Sequence, residues 1–287
     1  MKTPRLIQRF RRDKRAVSPA VSTVIVTSAV IVMVMVAMVY ANNFLNARMA
    51  ENEFGTNKQF MLTTALQLDD IAWTIGRTQT VRYSSQYGSV TFQNNAISYT
   101  IEVTTQGGGE PLTFTYDTGI ILFNMPSSVY TLGNDYFERV FPNDDNVTQN
   151  GATAAVSHVY VIEKLPMSAG NYTRVAIAPT IRTLTSNING QTYVRFYMAD
   201  LDSGTSPHNS QSVTLIGRDI AQYMRSNVTQ IRITVEYPSS EVGFDADFFR
   251  FSESTIVFNA QSAPPLPANS VVEFYLGEVG VSLGLYS

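Results

Sequence analysis

Three regimes of hydrophobic and polar patterning divide the chain. From Ala16 to Ala47 no side chain is charged, and "VIVTSAVIVMVMVAMVY" at residues 24–40 is almost wholly apolar. About 20 such residues cross a bilayer as a helix, so residues 17–41 are predicted to form a transmembrane helix. Beyond it, Met61, Ala65, Leu68, Ala72 and Ile75 recur at spacings of 4, 3, 4 and 3. That is one apolar stripe on a helix, which Leu62, Leu66 and Trp73 widen. Helix is therefore predicted to continue through residues 42–76 and to carry the β domain on its second half. Gly55 is read as a weak point or kink, and Gly76 as the stop.

After Gly76 the period changes to two. "SYTIEVTT" and "LTFTYDT" alternate apolar and polar residues around "QGGGEP", which predicts a hairpin. Further strands are predicted at "SVTFQ", "IILFN", "HVYVIEKL", "TRVAIAPTIRTLT", "TYVRFYMADL", "SVTLIG", "QIRITVEY", "TIVFN" and "VVEFYLGEVGVSL". Short β-rich runs separated by Asn, Gly, Ser and Pro turns indicate a sandwich or two small sheets over residues 77–287. One helix is expected inside this region, at "RDIAQYMRSN" (residues 218–227), and "SAPPLPANS" (residues 262–270) reads as a rigid connector. The expected fold class is α+β: a long N-terminal transmembrane helix followed by a mainly-β, sandwich-like extracellular domain.

Charge changes the picture at one end only. Residues 1–16 carry seven basic side chains against Asp13 alone, on a chain whose net charge is −3. No basic stripe follows elsewhere, which excludes nucleic acid as a partner. Basic residues flanking an apolar span stay on the cytoplasmic side, so the tip is expected to face in and the β domain out. The absence of cysteine excludes a disulfide framework, thiolate metal sites and cysteine nucleophiles.

The junction itself reads "KRAVSPAVSTVIV". It resembles the N-terminus of archaeal type IV pilin-like precursors, the family that includes archaellins, over roughly residues 9–40. Their class III signal peptide has a basic leader, a Gly or Ala before the cut, and the apolar helix after it. The resemblance implies that Lys14 and Arg15 are the basic pair, that Ala16 precedes the cut, and that Val17-Ser18-Pro19 begin the mature chain. Residues 1–16 would then be a cytoplasmic leader removed by a prepilin peptidase. Many relatives continue "VIG" after the proline, where this chain has Ala20, Val21 and Ser22. Physically the same cut removes all seven basic leader side chains, which would be costly in a lipid-like interior. Pro19 then falls in the first helical turn, where its missing N–H costs little.

Residues able to support catalysis or metal binding are sparse. His158 and His208 lie 50 positions apart without ligand-like neighbours, and are read as solvent or turn residues. "NDDN" (residues 143–146) offers oxygens to a hard cation but lacks the EF-hand register. Asp69 and Asp70 are read as helix-surface residues, at least one of them solvated. No nucleophile elbow, zinc-helix motif or phosphate loop occurs, so no catalytic residue, cofactor or metal site is expected. Sequons at Asn146, Asn171 and Asn227 permit N-glycosylation. Most of the fifteen tyrosines and sixteen phenylalanines are expected to fill a β core.

The expected function is that of a non-enzymatic, pilin-like surface protein. Its partners would be the membrane, a prepilin peptidase, other pilin-like subunits and the pilus assembly machinery. On domain size a minor or adhesive subunit is favoured over a major one. The competing reading is a single-pass membrane-anchored binding or receptor protein that never polymerises.

Overall fold

The computed structural model describes residues 19–107, 111–204, 211–262, 264–267 and 269–284. It has the expected α+β architecture: one long apolar N-terminal helix followed by a large mixed β-sheet domain. The chain divides into two units, residues 1–49 and 50–287.

Helix α1 spans Pro19–Ala72 without interruption. Gly55 does not break it; the position is exposed and a Cβ there would meet nothing within 4 Å, so no close packing requires the glycine. Residues 21–49 are exposed throughout, and burial begins at Ala50. The buried face then runs through Phe54, Asn57, Phe60, Met61, Thr64, Ala65, Leu68, Ile71 and Ala72. This corrects the stripe at two places. Leu66 is 54% exposed and Ile75 is 62% exposed, whereas Phe54, Phe60 and Ile71 supply bulk that the 4-3-4-3 pattern missed. Ile75 escapes because the helix ends at Ala72 and Gly76 turns the chain away with φ of +79°.

Among the described residues the β domain is one sheet of twelve strands rather than two separate sheets. Its order is β4 (Tyr136–Phe141), β6 (Ser157–Glu163), β7 (Tyr172–Pro179), β3 (Leu112–Pro126), β2 (Ser89–Thr105), β10 (Ser212–Glu236), β12 (Ser270–Leu283), β9 (Gln191–Ser203), β8 (Ile181–Ile188), β5 (Thr148–Asn150). Off this order, β1 (Thr78–Arg82) pairs with Ser212–Ile216 of β10 and β11 (Thr255–Phe258) with its Ile231–Thr234. The β9–β12 and β5–β8 pairs are parallel and the rest antiparallel. The predicted β2–β3 hairpin is present.

Strict alternation sends successive side chains to two different cores. In β6, Tyr160 and Ile162 enter one core and Val159 and Val161 the other; in β7, Ala176 and Ala178 oppose Val175 and Ile177. The first core draws on both halves of the sheet, with Tyr99 and Ile101 on one side and Phe196 and Phe274 on the other. The sheet therefore folds over itself, giving a sandwich-like interior from a single ladder. Thr118 ties the layers: its hydroxyl donates to the Ala199 carbonyl (3.2 Å) and accepts from Leu201 N–H (3.0 Å).

The second core is covered by α1, whose Met61, Leu68 and Ile71 join Phe123, Ile177, Val213, Val279 and Val281 from the sheet. Fully burying each such apolar side chain stabilises by about 1.5–3 kcal/mol, so this face accounts for the attachment of residues 50–72. Two glycines allow the closest approach. A Cβ on Gly277 would lie 2.3 Å from the Ala72 carbonyl oxygen, and one on Gly217 2.5 Å from that of Thr74. The end of α1 and the turn after it thus rest directly on the backbones of β12 and β10.

Residues 218–227 are strand, not helix. They form the middle of β10, which joins the predicted strands "SVTLIG" and "QIRITVEY" into one 25-residue element. Ala, Gln, Met and Arg favour helix locally, but pairing with β12 from Val213 to Val228 overrides that preference. A short second helix, α2 (Ala246–Phe249), is N-capped by Asp245 and drives Phe248 and Phe249 into the first core.

Candidate functional site

The exposed part of α1 is the candidate interaction site. It is long and apolar enough to cross a membrane. Two of its hydroxyls are satisfied by the helix itself: that of Thr27 donates to the Thr23 carbonyl (2.8 Å) and that of Ser28 to the Val24 carbonyl (2.7 Å). Such internal pairing is what a helix needs in lipid or against other apolar helices. Lys14, Arg15, Ala16 and Val17 lie outside the described residues, as does His208.

The part of α1 within the β domain is held by polar contacts that periodicity did not reveal. Glu53 accepts hydrogen bonds from the Ser85 hydroxyl (3.1 Å) and from the N–H groups of Gln86 (2.9 Å), Tyr87 (3.1 Å) and Gly88 (2.9 Å). Lys58 pairs with Glu138 at 2.6 Å. Asp69 is a latch: it accepts from Trp73 Nε1 (2.9 Å) and pairs with Arg182 (2.9 Å), whose guanidinium lies over the Tyr197 ring. Asp70 is exposed and pairs with Arg77, so it is the residue that keeps the expected surface role.

No family model, curated protein or solved structure matches this chain. The functional reading rests on its own residues.

His158 departs from the expected solvent or turn role. It is buried on β6, 3.9 Å from Asp144, with Phe251 edge-on to its ring. Burial pushes its imidazole down to about 4, against the pull of Asp144. Asp144 also accepts from Asn146 N–H (3.1 Å) and from Gln149. The acidic loop is thus held by protein donors, and no group of three or more metal-ligating side chains occurs among the described residues.

Arg174 is the largest fully buried side chain among the described residues and lines a cleft of about 410 Å³ with Asn124, Tyr172 and Phe244. Its partners are neutral: Asn124 Oδ1 (3.0 Å), the carbonyls of Ala169 (3.2 Å) and Gly170 (2.8 Å), and Met167 Sδ (3.0 Å). Burial pushes its guanidinium down to about 10, so it remains charged at neutral pH. Glu163 is likewise buried but fully served, by the hydroxyls of Thr131 (2.6 Å) and Thr173 (2.8 Å) and by Leu132 N–H (2.6 Å). Both groups are engaged by neutral protein partners.

The three sequon asparagines, Asn146, Asn171 and Asn227, are exposed. Thr173 of the Asn171 sequon is buried against Glu163, so the folded chain presents the asparagine of that sequon but not its hydroxyl.

Asp200 is a carboxylate whose surroundings disfavour its charged form. Burial, followed by the negative charges of Glu278, Asp202 and Asp117, raises Asp200 to about 7. Arg218 faces the same group of acids and pairs with Asp202 (2.9 Å) and Glu278 (3.2 Å). Between the unfolded carboxylate range and pH 7 the folded state binds the extra proton, so this residue's contribution to stability falls as pH rises through that window. Asp200→Asn is expected to raise the melting temperature at pH 8, with the gain vanishing by about pH 4. A gain that is equal at both pH values would refute the assignment.

Proposed function

We propose that the chain is an archaeal type IV pilin-like surface protein that a prepilin peptidase cuts after Ala16, and that it serves as a minor or adhesive filament subunit. The observation that carries this reading is a single helix whose first part is uncharged and exposed and whose second part is built into a β domain. A filament subunit needs both: an apolar segment that moves from lipid to a core of like helices, and a folded domain on the same chain. The sequence "KRAVSP" supplies the cut that frees such a segment from its basic leader.

The mature N-terminus is expected to be Val17, read by mass spectrometry of membrane-extracted protein. Ala16→Glu should block the cut and leave the precursor in the membrane. A start at Asn42 would mean conventional secretion, and an intact Met1 a plain signal anchor. In the second reading, a membrane-anchored binding protein, the same helix stays in lipid and the protein never enters filaments.

A further inference from the structure

We propose that the open edge of β10 over residues 218–226 pairs antiparallel with the same edge of a second copy of this chain, about a two-fold axis at Gln222. One edge of β10 pairs with β12. The other pairs with β1 over Ser212–Ile216 and with β2 over Val228–Glu236. Between those stretches no strand pairs with that edge among the described residues, and Tyr223 and Met224 are 41% and 54% exposed.

The direction of the backbone groups follows from local contacts. Gly217 exchanges hydrogen bonds with the chain after α1, accepting from Gly76 N–H (2.8 Å) and donating to the Arg77 carbonyl (3.0 Å). A register shift between Gly217 and Asp219 then turns the even-numbered residues toward the open edge. Two bonds mark that edge: Ile220 N–H donates to Asp219 Oδ1 (2.8 Å), and the Arg225 guanidinium donates to the Met224 carbonyl (2.9 Å). These charged side chains occupy backbone groups that a neighbouring strand would use. Gln222 stands between them.

The sequence of this edge is complementary to itself. With Gln222 opposite Gln222, Ile220 falls opposite Met224, Ala221 opposite Tyr223, and Asp219 opposite Arg225. The even positions become the hydrogen-bonded pairs of an antiparallel ladder, and the odd ones the closer, non-bonded pairs. Ile220 N–H then meets the Met224 carbonyl of the other copy, so the two groups now held by Asp219 and Arg225 satisfy each other. The released carboxylate and guanidinium lie opposite one another, twice by symmetry, where opposite charges favour pairing. Edge charges ordinarily discourage such contacts; placed symmetrically with opposite sign, they select a second copy in this register. The pairing does not depend on whether α1 leaves the membrane.

The chain has no cysteine, so Gln222→Cys introduces a single thiol at the axis. Opposed residues of a bonded pair have Cα atoms about 5.5 Å apart, within disulfide range. Full-length protein in its native membrane, mildly oxidised, should give at least about tenfold more disulfide dimer for Gln222→Cys than for Asn187→Cys at the exposed end of β8. Adding Asp219→Arg or Arg225→Asp should lower the yield at least about fivefold, and the double reversal should restore it. If the cysteine variant does not fold, differently tagged Asp219→Arg and Arg225→Asp chains should co-purify with each other but not with themselves. Equal cross-linking at both positions, insensitivity to charge reversal, or capture of a different protein overturns the proposal.

Discussion

Val32→Lys is expected to remove the protein from sheared extracellular filaments while leaving its β domain folded. Val32 sits within the uncharged run and is 59% exposed on α1. A lysine at the centre of an apolar span costs about 2.5–3.5 kcal/mol on insertion scales, or roughly a hundredfold per subunit. In a bilayer the long side chain relieves part of that cost by reaching toward the interface. Surrounded by other helices it has no such route. Processed Val32→Lys protein should therefore accumulate in membranes, and Val32→Met should behave as wild type. If processed wild-type protein itself occurs only in membranes under every growth condition, the filament reading fails and the anchored binding protein remains.

Ala65→Asp should destabilise the β domain severely. Ala65 is 4% exposed and belongs to the core shared by α1 and the sheet. An unpaired carboxylate there costs about 3–5 kcal/mol, a large part of the roughly 5–15 kcal/mol that holds typical domains together. For a domain of this size that corresponds to a fall of about 10 °C or more in Tm. Leu66→Asp, one residue along, places the same charge on an exposed position and should change Tm little. Melting of full-length protein in detergent, followed by near-ultraviolet dichroism of Trp73, separates the two. Equal effects would show that the helix is packed differently.

Of these contrasts, the sequence carried the first and only half of the second. The 4-3-4-3 stripe located Met61, Ala65, Leu68 and Ala72 correctly, yet extended to Leu66 and Ile75, which the sheet does not reach. A stripe records which face of a helix is apolar. How wide a band is covered depends on the shape of the surface beneath it, which here includes the glycine-lined approach at Gly217 and Gly277.

What the sequence determined by itself was local: an uncharged helix, its continuation, the alternation of most strands, the antiparallel pairing of β2 with β3 and the absence of cysteine chemistry. These follow from periodicity and composition within a few neighbouring residues. Tertiary structure alone decided that the strands make one folded sheet, that residues 218–227 extend rather than coil, and that Arg174, Glu163 and His158 are buried. Each of those outcomes depends on partners distant along the chain. Arg174 is held by Asn124 fifty residues away, and β10 is drawn straight by β12 through register pairs such as Tyr223 with Phe274. Such pairings leave no period in the local pattern, because the energy that selects them comes from surfaces that meet only when the chain has folded.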